Sequence, residues 1–248
     1  MKTISIMNHK GGTGKTTSTI NIGAGLAKKG LKVLLMDIDS QANLTEGLGI
    51  REAEVSVYDS IRESKKLPIL HITENLDLVP SSIDLLGAET EIVSKIGREQ
   101  IIRKLLKPVQ SDYDFIIIDC PPSVGLLTVN AMVASDTILI PLQGEYFAYK
   151  GVDRLLGIVN EVRENLNDKL EIGGVFITQI NPNRILTKTI VEKLTEDLQE
   201  KVFETKIRMN VALAEAQLQG QSIFDYAPDS NGAKDYEMLV DEILSKLN

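Results

Sequence analysis

The residues best suited to chemistry come early: His9-Lys10-Gly11-Gly12-Thr13-Gly14-Lys15-Thr16-Thr17. They lie between an apolar run and a segment of helical pattern that starts near Thr16. Gly11, Gly12 and Gly14 let backbone N–H groups turn inward around phosphate oxygens. A helix N-terminus adds a favourable dipole, a lysine at position 15 reaches β- and γ-phosphates, and a hydroxyl at position 16 suits Mg²⁺. The competing reading is a glycine-rich turn that merely joins strand to helix. Gly-Lys-Thr-Thr opening a helix favours the phosphate loop. The usual pattern has glycine six residues before the lysine, where this chain has His9. It also has a second lysine, Lys10, five residues before Lys15. Lys10 could reach a neighbour's phosphates across an interface, or it could be an ordinary solvated lysine.

Carboxylates supply the other half of such a site. Asp119 ends the apolar run Phe115–Ile118, so it stands at the carboxyl edge of a buried strand. There it could serve Mg²⁺, or cap the following turn. Asp37 and Asp39 end a second apolar run, two residues apart and by alternation on one side. Their alternative is a pair of solvated loop acids.

These groups need elements to hold them. Thr3–Asn8, Lys32–Asp37, Leu76–Pro80, Phe115–Asp119, Thr137–Leu142 and Gly174–Ile180 read as strands buried on both faces. Helical stripes lie between and after them. One runs through Val152, Leu155, Leu156, Val159, Val162 and Leu166, another through Tyr236, Leu239, Val240, Ile243, Leu244 and Leu247. The expectation is an α/β doubly wound, mostly parallel sheet with helices on both faces and ligands at the strands' carboxyl ends. With no repeat, low-complexity tract or linker, residues 1–248 read as one domain.

The motifs resemble those of the ParA/MinD superfamily of deviant Walker A ATPases, a P-loop NTPase type. Lys10-Gly11-Gly12-Thr13-Gly14-Lys15-Thr16-Thr17 is similar to its phosphate loop. Leu34-Leu35-Met36-Asp37-Ile38-Asp39-Ser40-Gln41-Ala42-Asn43 and Ile116-Ile117-Ile118-Asp119-Cys120-Pro121-Pro122 follow in order. Ile140-Pro141-Leu142-Gln143-Gly144-Glu145-Tyr146-Phe147-Ala148, Asn210-Val211-Ala212-Leu213-Ala214-Glu215-Ala216 and Tyr226–Tyr236 resemble the small Soj-like ParA partition ATPases. The resemblance implies ATP and Mg²⁺ as cofactors and a face-to-face homodimer formed with ATP, with Lys10 acting in trans. It implies that Thr16 and Asp119 serve the metal, that Asp39 positions the attacking water and that Asp37 supports the shell. Arg208 and Asn210 would lie beside the adenine, although Arg208-Met209-Asn210 stands where the family commonly has Pro-Arg-Asn, so the proline contact is absent. For both, the bland alternative is turn chemistry.

Composition limits the partners. The chain has 248 residues, 35 acids and 27 bases, for a net charge of -8. DNA binding would therefore need a local basic patch. Arg184 and Lys188, four apart near a helix start, are the candidates; in Soj-like proteins a basic residue matching Arg184 contacts DNA. Lys206 and Arg208 are further bases, whereas Met209 and Ala212 replace family arginines. The alternative is a solvated helix face. A single cysteine, Cys120, excludes a disulfide framework and reads as a small buried residue. His71 reads as a surface or packing residue, and Tyr146, Phe147 and Tyr149 as loop packing.

No apolar run reaches the ~20 residues that span a bilayer, and the first is too short for a signal peptide core. The MinD branch touches lipid with a basic C-terminal helix. Here Asp225, Asp229, Asp235, Glu237, Asp241 and Glu242 face only Lys234 and Lys246 over Asp225–Asn248. The expectation is a cytoplasmic, nucleoid-associated ATPase. It would bind DNA without sequence preference, answer to a ParB-like centromere-binding protein and use no membrane. The alternatives are a MinD-like membrane-cycling ATPase, a metabolic phosphotransfer enzyme, and a module that holds nucleotide without turnover.

Overall fold

A computed structural model describes residues 1–144, 148–180, 196 and 201–247. Eight strands form one sheet: β1 (Lys2–Ile6), β2 (Val33–Asp37), β3 (Leu70–Thr73), β4 (Leu76–Val79), β5 (Phe115–Asp119), β6 (Thr137–Gln143), β7 (Glu171–Ile180) and β8 (Val202–Arg208). Their order is β3-β4-β2-β5-β1-β6-β7-β8. Only β3 runs antiparallel to its neighbour, so the fold is the doubly wound, mostly parallel α/β expectation.

The helices are α1 (Lys15–Lys28), α2 (Asn43–Gly47), α3 (Val57–Glu63), α4 (Leu85–Ile92), α5 (Ile101–Leu106) and α6 (Leu126–Ala134), followed by α7 (Ala148–Asn165), α8 (Val211–Leu218), α9 (Ile223–Tyr226) and α10 (Asn231–Leu247). Strand alternation sorts the core into two layers. Ile116 and Ile118 join Leu34, Met36, Ile138 and Ile140 under α3 to α7. Ile117 joins Ile4, Ile6, Leu35 and Leu139 under α1, α8 and α10. Both faces are covered, which is why these strands read as unbroken apolar runs. Tyr236, Leu239, Val240 and Ile243 of α10 are part of the second layer.

Two strands are absent from the sequence expectation. Both lie at sheet edges. In β3 half-buried and exposed residues alternate. In β8 Glu204 is exposed and Lys206 half-buried between buried Phe203, Thr205 and Ile207. One wet side replaces the apolar run with alternation. At the centre, β1 ends at Ile6, two residues before the expected Asn8. Asn8 instead starts the turn into the loop: its Nδ2 donates to Pro141 O at 2.7 Å and its Oδ1 accepts from Lys10 N at 3.0 Å.

The strand that carries Asp119 is anchored by fully buried residues, Ile117 among them. Ile117→Ala is expected to lower unfolding free energy by about 2–5 kcal/mol, the usual range for such a truncation. Urea unfolding measures it, and a loss under about 1 kcal/mol would mean the layer under α1 is not close-packed.

Candidate active site

The register of three strands assembles the site. Ile6 on β1 pairs with Asp119 on β5, and Asp119 pairs with Asp37 on β2. The chain leaves β1 at Ile6, crosses the glycine loop and enters α1 at Lys15. The connection from β1 runs to β2 on one side, and that from β5 crosses to β6 on the other, so the winding reverses around β1, the position where doubly wound folds bind ligands. A cavity of about 970 Å³ opens there, lined among others by Gly12, Lys15, Thr16, Asp39, Arg51 and Gln217.

Gly12 and Gly14 have φ of 73° and 83°, in the left-handed region that side chains rarely adopt. Lys15 is buried and its Nζ donates to Lys10 O at 3.3 Å. Burial lowers its pKa, and the nearby Asp119 carboxylate partly offsets this. Thr16 Oγ1 donates to Asp119 Oδ2 at 2.7 Å, and Thr19 Oγ1 donates to Asp119 Oδ1 at 3.2 Å. Asp119 is buried, and its pKa is raised to about 8 by desolvation first and by the Asp37 charge second.

Such a carboxylate suits a cation. Thr16 and Asp119 offer hard oxygen donors of the kind Mg²⁺ takes, and a positive charge would favour the ionised carboxylate that burial opposes. Among the described residues no group of three or more His, Cys, Asp or Glu could hold a metal. Mg²⁺ keeps waters and is commonly held by one or two protein groups plus substrate phosphates.

Asp37 and Asp39 are both buried, so neither is a solvated loop acid. Their roles differ because β2 ends at Asp37 and Asp39 lies beyond it. Asp37 Oδ1 accepts from Asp39 N at 3.0 Å; Oδ2 accepts from Thr45 N at 2.9 Å and Thr45 Oγ1 at 2.7 Å. Desolvation raises its pKa to about 6 against the pull of these bonds. Asp37 thus pins the turn that presents Asp39. Asp39 Oδ1 accepts from Gln41 N at 3.0 Å, and the residue lines the cavity.

A smaller recess of about 200 Å³ adjoins the loop, lined by Gly14, Thr17, Thr178, Arg208, Asn210 and Tyr236 among others. Thus Arg208 and Asn210 lie beside the phosphate loop. Asn210 is also the N-cap of α8, its Oδ1 accepting from Ala212 N at 3.0 Å, so the turn chemistry is present there. The Arg208 guanidinium binds Asp235 in a bidentate pair at 2.6 to 3.1 Å, which commits much of its hydrogen-bonding capacity within the chain.

Three polar residues at strand ends escaped the sequence reading. Thr178 Oγ1 donates to Thr13 O at 2.8 Å. Gln143 and Gln179 both donate through Nε2 to Gly12 O, at 2.8 and 2.7 Å. Gln179 does so from a φ of 54°, a left-handed backbone that costs a non-glycine residue of order 1–3 kcal/mol. The available signal was the one that marked Asp119: a polar residue directly after an apolar strand.

Cys120 is buried, and burial pushes its thiol pKa far up, away from nucleophile chemistry. His71 is a surface residue paired with Asp77 at 2.9 Å. Arg184, Lys188, Tyr146 and Phe147 lie outside the described residues. No helix among the described residues is long and apolar enough to cross a membrane.

Comparison with known proteins places this geometry. Residues 1–172, which hold the loop and all three carboxylates, match a family described as an AAA domain. The chain is 45% identical over 247 residues to the sporulation initiation inhibitor protein Soj of Bacillus subtilis, covering 98% of each chain. It is 44% identical over 248 residues to the chromosome-partitioning ATPase Soj of Treponema pallidum, covering 99% of this chain and 98% of that one. A solved structure of cobyrinic acid a,c-diamide synthase from Mycobacterium smegmatis, with bound ADP and magnesium, is similar with a TM-score of 0.86 at 30% identity, covering 98% and 94% of the two chains. The fold is therefore shared with a protein named as a synthase, whereas the likeness to two Soj proteins is higher in identity over nearly the whole chain. This chain belongs to the Soj/ParA family of ATPases.

Proposed function

We propose that the chain is a ParA-type partition ATPase that hydrolyses ATP to ADP and phosphate, with residues 1–248 acting as one domain. ATP closes two copies face to face, the dimer holds DNA without sequence preference, and a ParB-like protein that binds centromere DNA stimulates hydrolysis and release. The observation that carries this reading is the Thr16–Asp119 contact at 2.7 Å, made by a threonine that lines one cavity with Lys15 and Asp39.

Phosphoryl transfer needs positioning and charge neutralisation more than covalent chemistry. The backbone of Gly11, Gly12, Thr13 and Gly14 cradles phosphate, and Lys15 neutralises charge on the β- and γ-phosphates. Thr17 follows in the first turn of α1 and lines the recess where Arg208 and Asn210 would flank the adenine. Thr16 and Asp119 would hold Mg²⁺, which when bound supplies further charge neutralisation at the phosphates. Asp39 accepts a hydrogen bond from the attacking water and orients it. Lys10 reaches the partner's phosphates, so the site is complete only in the dimer.

The membrane-cycling alternative fits less well. Helix α10 spends its apolar face on the core, and its exposed charges, Glu237 and Asp241 against Lys234 and Lys246, balance. A surface of this kind lacks the excess of basic residues that draws a helix to anionic lipid.

DNA contact would be through phosphates, from Arg184 and Lys188 on the dimer, which places the protein on the nucleoid. Affinity should fall with salt and depend little on sequence. Each lost phosphate contact reduces the logarithmic salt slope by about 0.9, so Arg184→Ala, removed twice in a dimer, should reduce it by up to roughly 1.8. Fluorescence anisotropy over a salt series with ATP measures this for wild type, Arg184→Ala and Lys188→Ala. An unchanged slope and affinity in both variants would remove this patch from the function.

A further inference from the structure

The two glutamines that clamp the phosphate loop also take hold of Lys10. Lys10 Nζ donates to Gln143 Oε1 at 3.0 Å. An ammonium has no acceptor, so the amide oxygen must be the atom facing it, and the amide nitrogen then faces the other way. That nitrogen donates to Gly12 O at 2.8 Å and to Gln179 Oε1 at 2.9 Å, while Gln179 Nε2 donates to Gly12 O at 2.7 Å. The bonds form one connected network from the Lys10 ammonium to the loop carbonyl. Gln143 ends β6 and Gln179 is near the end of β7, neighbouring strands with Gln143 opposite Thr178. The network is therefore fixed to the sheet rather than to another loop.

We propose that Gln143 is a positioning residue that tethers Lys10 to its own protomer, so that Lys10 must leave Gln143 before it can serve a second copy's phosphates. The proposal rests on the reading of Lys10 as acting in trans. One ammonium cannot keep full contact with Gln143 and also reach across an interface, so the two arrangements compete. The tether opposes dimer closure until a partner carrying ATP offers a stronger acceptor. Phosphate is charged and the amide oxygen is not, so the exchange favours the partner only when nucleotide is present. Gln179 keeps the loop carbonyl engaged by its own amide when Gln143 releases Lys10.

Two substitutions at one position separate a tether from a simple structural role. Gln143→Ala removes the amide oxygen that accepts from Lys10. Gln143→Glu keeps an acceptor and charges it, but removes the Nε2 donor to Gly12 and Gln179. A tether therefore predicts opposite shifts. A residue that only shapes the loop predicts that both variants move the same way, since both lose the Gly12 contact.

The measurement is sedimentation velocity with Mg²⁺ and a non-hydrolysable ATP analogue, on full-length wild type, both Gln143 variants and Lys10→Ala. Fluorescent-ADP affinity of each monomer is measured alongside. Gln143→Ala should lower the dimer dissociation constant about tenfold for each tether released, the size expected of a hydrogen bond to a charged group. Gln143→Glu should raise it by a comparable or larger factor. Shifts in the same direction, or no shift in either variant, would overturn the tether. If Lys10→Ala dimerises like wild type, the trans role itself fails. If Lys10→Ala stays monomeric while both Gln143 variants move together, the trans role stands and only the tether is lost.

Discussion

Lys15→Ala should lower turnover by at least about a hundredfold, the scale of removing one preorganised charge-stabilising group, roughly 2.7–4 kcal/mol. The reason lies in how the ammonium is held. It is buried, it is desolvated enough to lower its pKa, and its Nζ rests on the Lys10 carbonyl at the mouth of the loop. Burial strips the ammonium of water, and the acceptor it meets within bonding distance, the Lys10 carbonyl, is neutral. Nucleotide phosphates would supply the missing counter-charge. Its removal should also show without any catalysis. Ligand at a hundred times its dissociation constant stabilises the folded state by about 2.7 kcal/mol, which thermal unfolding resolves. Wild type should gain that stabilisation with ADP and Mg²⁺, and Lys15→Ala should show little of it. Wild-type turnover and a full thermal shift in the variant would remove Lys15 from the site.

Asp39→Ala should separate binding from hydrolysis. Nucleotide affinity should stay near wild type, because the loop and Lys15 are untouched. Hydrolysis should fall by about 10²–10⁴-fold, the usual contribution of a positioned acid–base group. Asp39→Asn sharpens the test. An asparagine oxygen can still accept the Gln41 N–H, so it would rescue a purely structural turn. It cannot supply the negative charge that orients and activates water. Phosphate release should therefore be low in both variants, and the ATP-bound dimer should persist in both. Restoration of turnover by Asn would reduce Asp39 to a turn residue, a role its neighbour Asp37 already fills through Thr45 and the Asp39 N–H.

The central part of this architecture is legible in the sequence for a physical reason. Phe115–Asp119 is read with its observed limits because both faces of β5 are covered, so burial leaves an unbroken apolar run ending in a single carboxylate. The glycine loop is legible because its φ angles and its lysine narrow the choice of residues. The edge strands β3 and β8 are not, since a strand with one wet side alternates and β8 carries Glu204 and Lys206. The distinction between Asp37 and Asp39 comes from the family resemblance and not from strand alternation. Alternation places both on one side, but the strand stops at Asp37, and only the tertiary contact to Thr45 shows which carboxylate is occupied. Gln143 and Gln179 carry neither charge nor run. Their meaning comes from two strands brought side by side over a loop more than 130 positions earlier, as in the Gln143–Gly12 bond.

In the proposed function nucleotide gates assembly: charge at the phosphate loop would decide whether two copies close, and closure would double the surface that meets DNA. Fluorescence anisotropy with a labelled duplex of arbitrary sequence at low salt tests that directly, comparing ATP with Mg²⁺, ADP with Mg²⁺, and no nucleotide. The proposed function requires strong binding with ATP and weak binding in the other two states. Equal binding in all three states, or none with ATP, would contradict it.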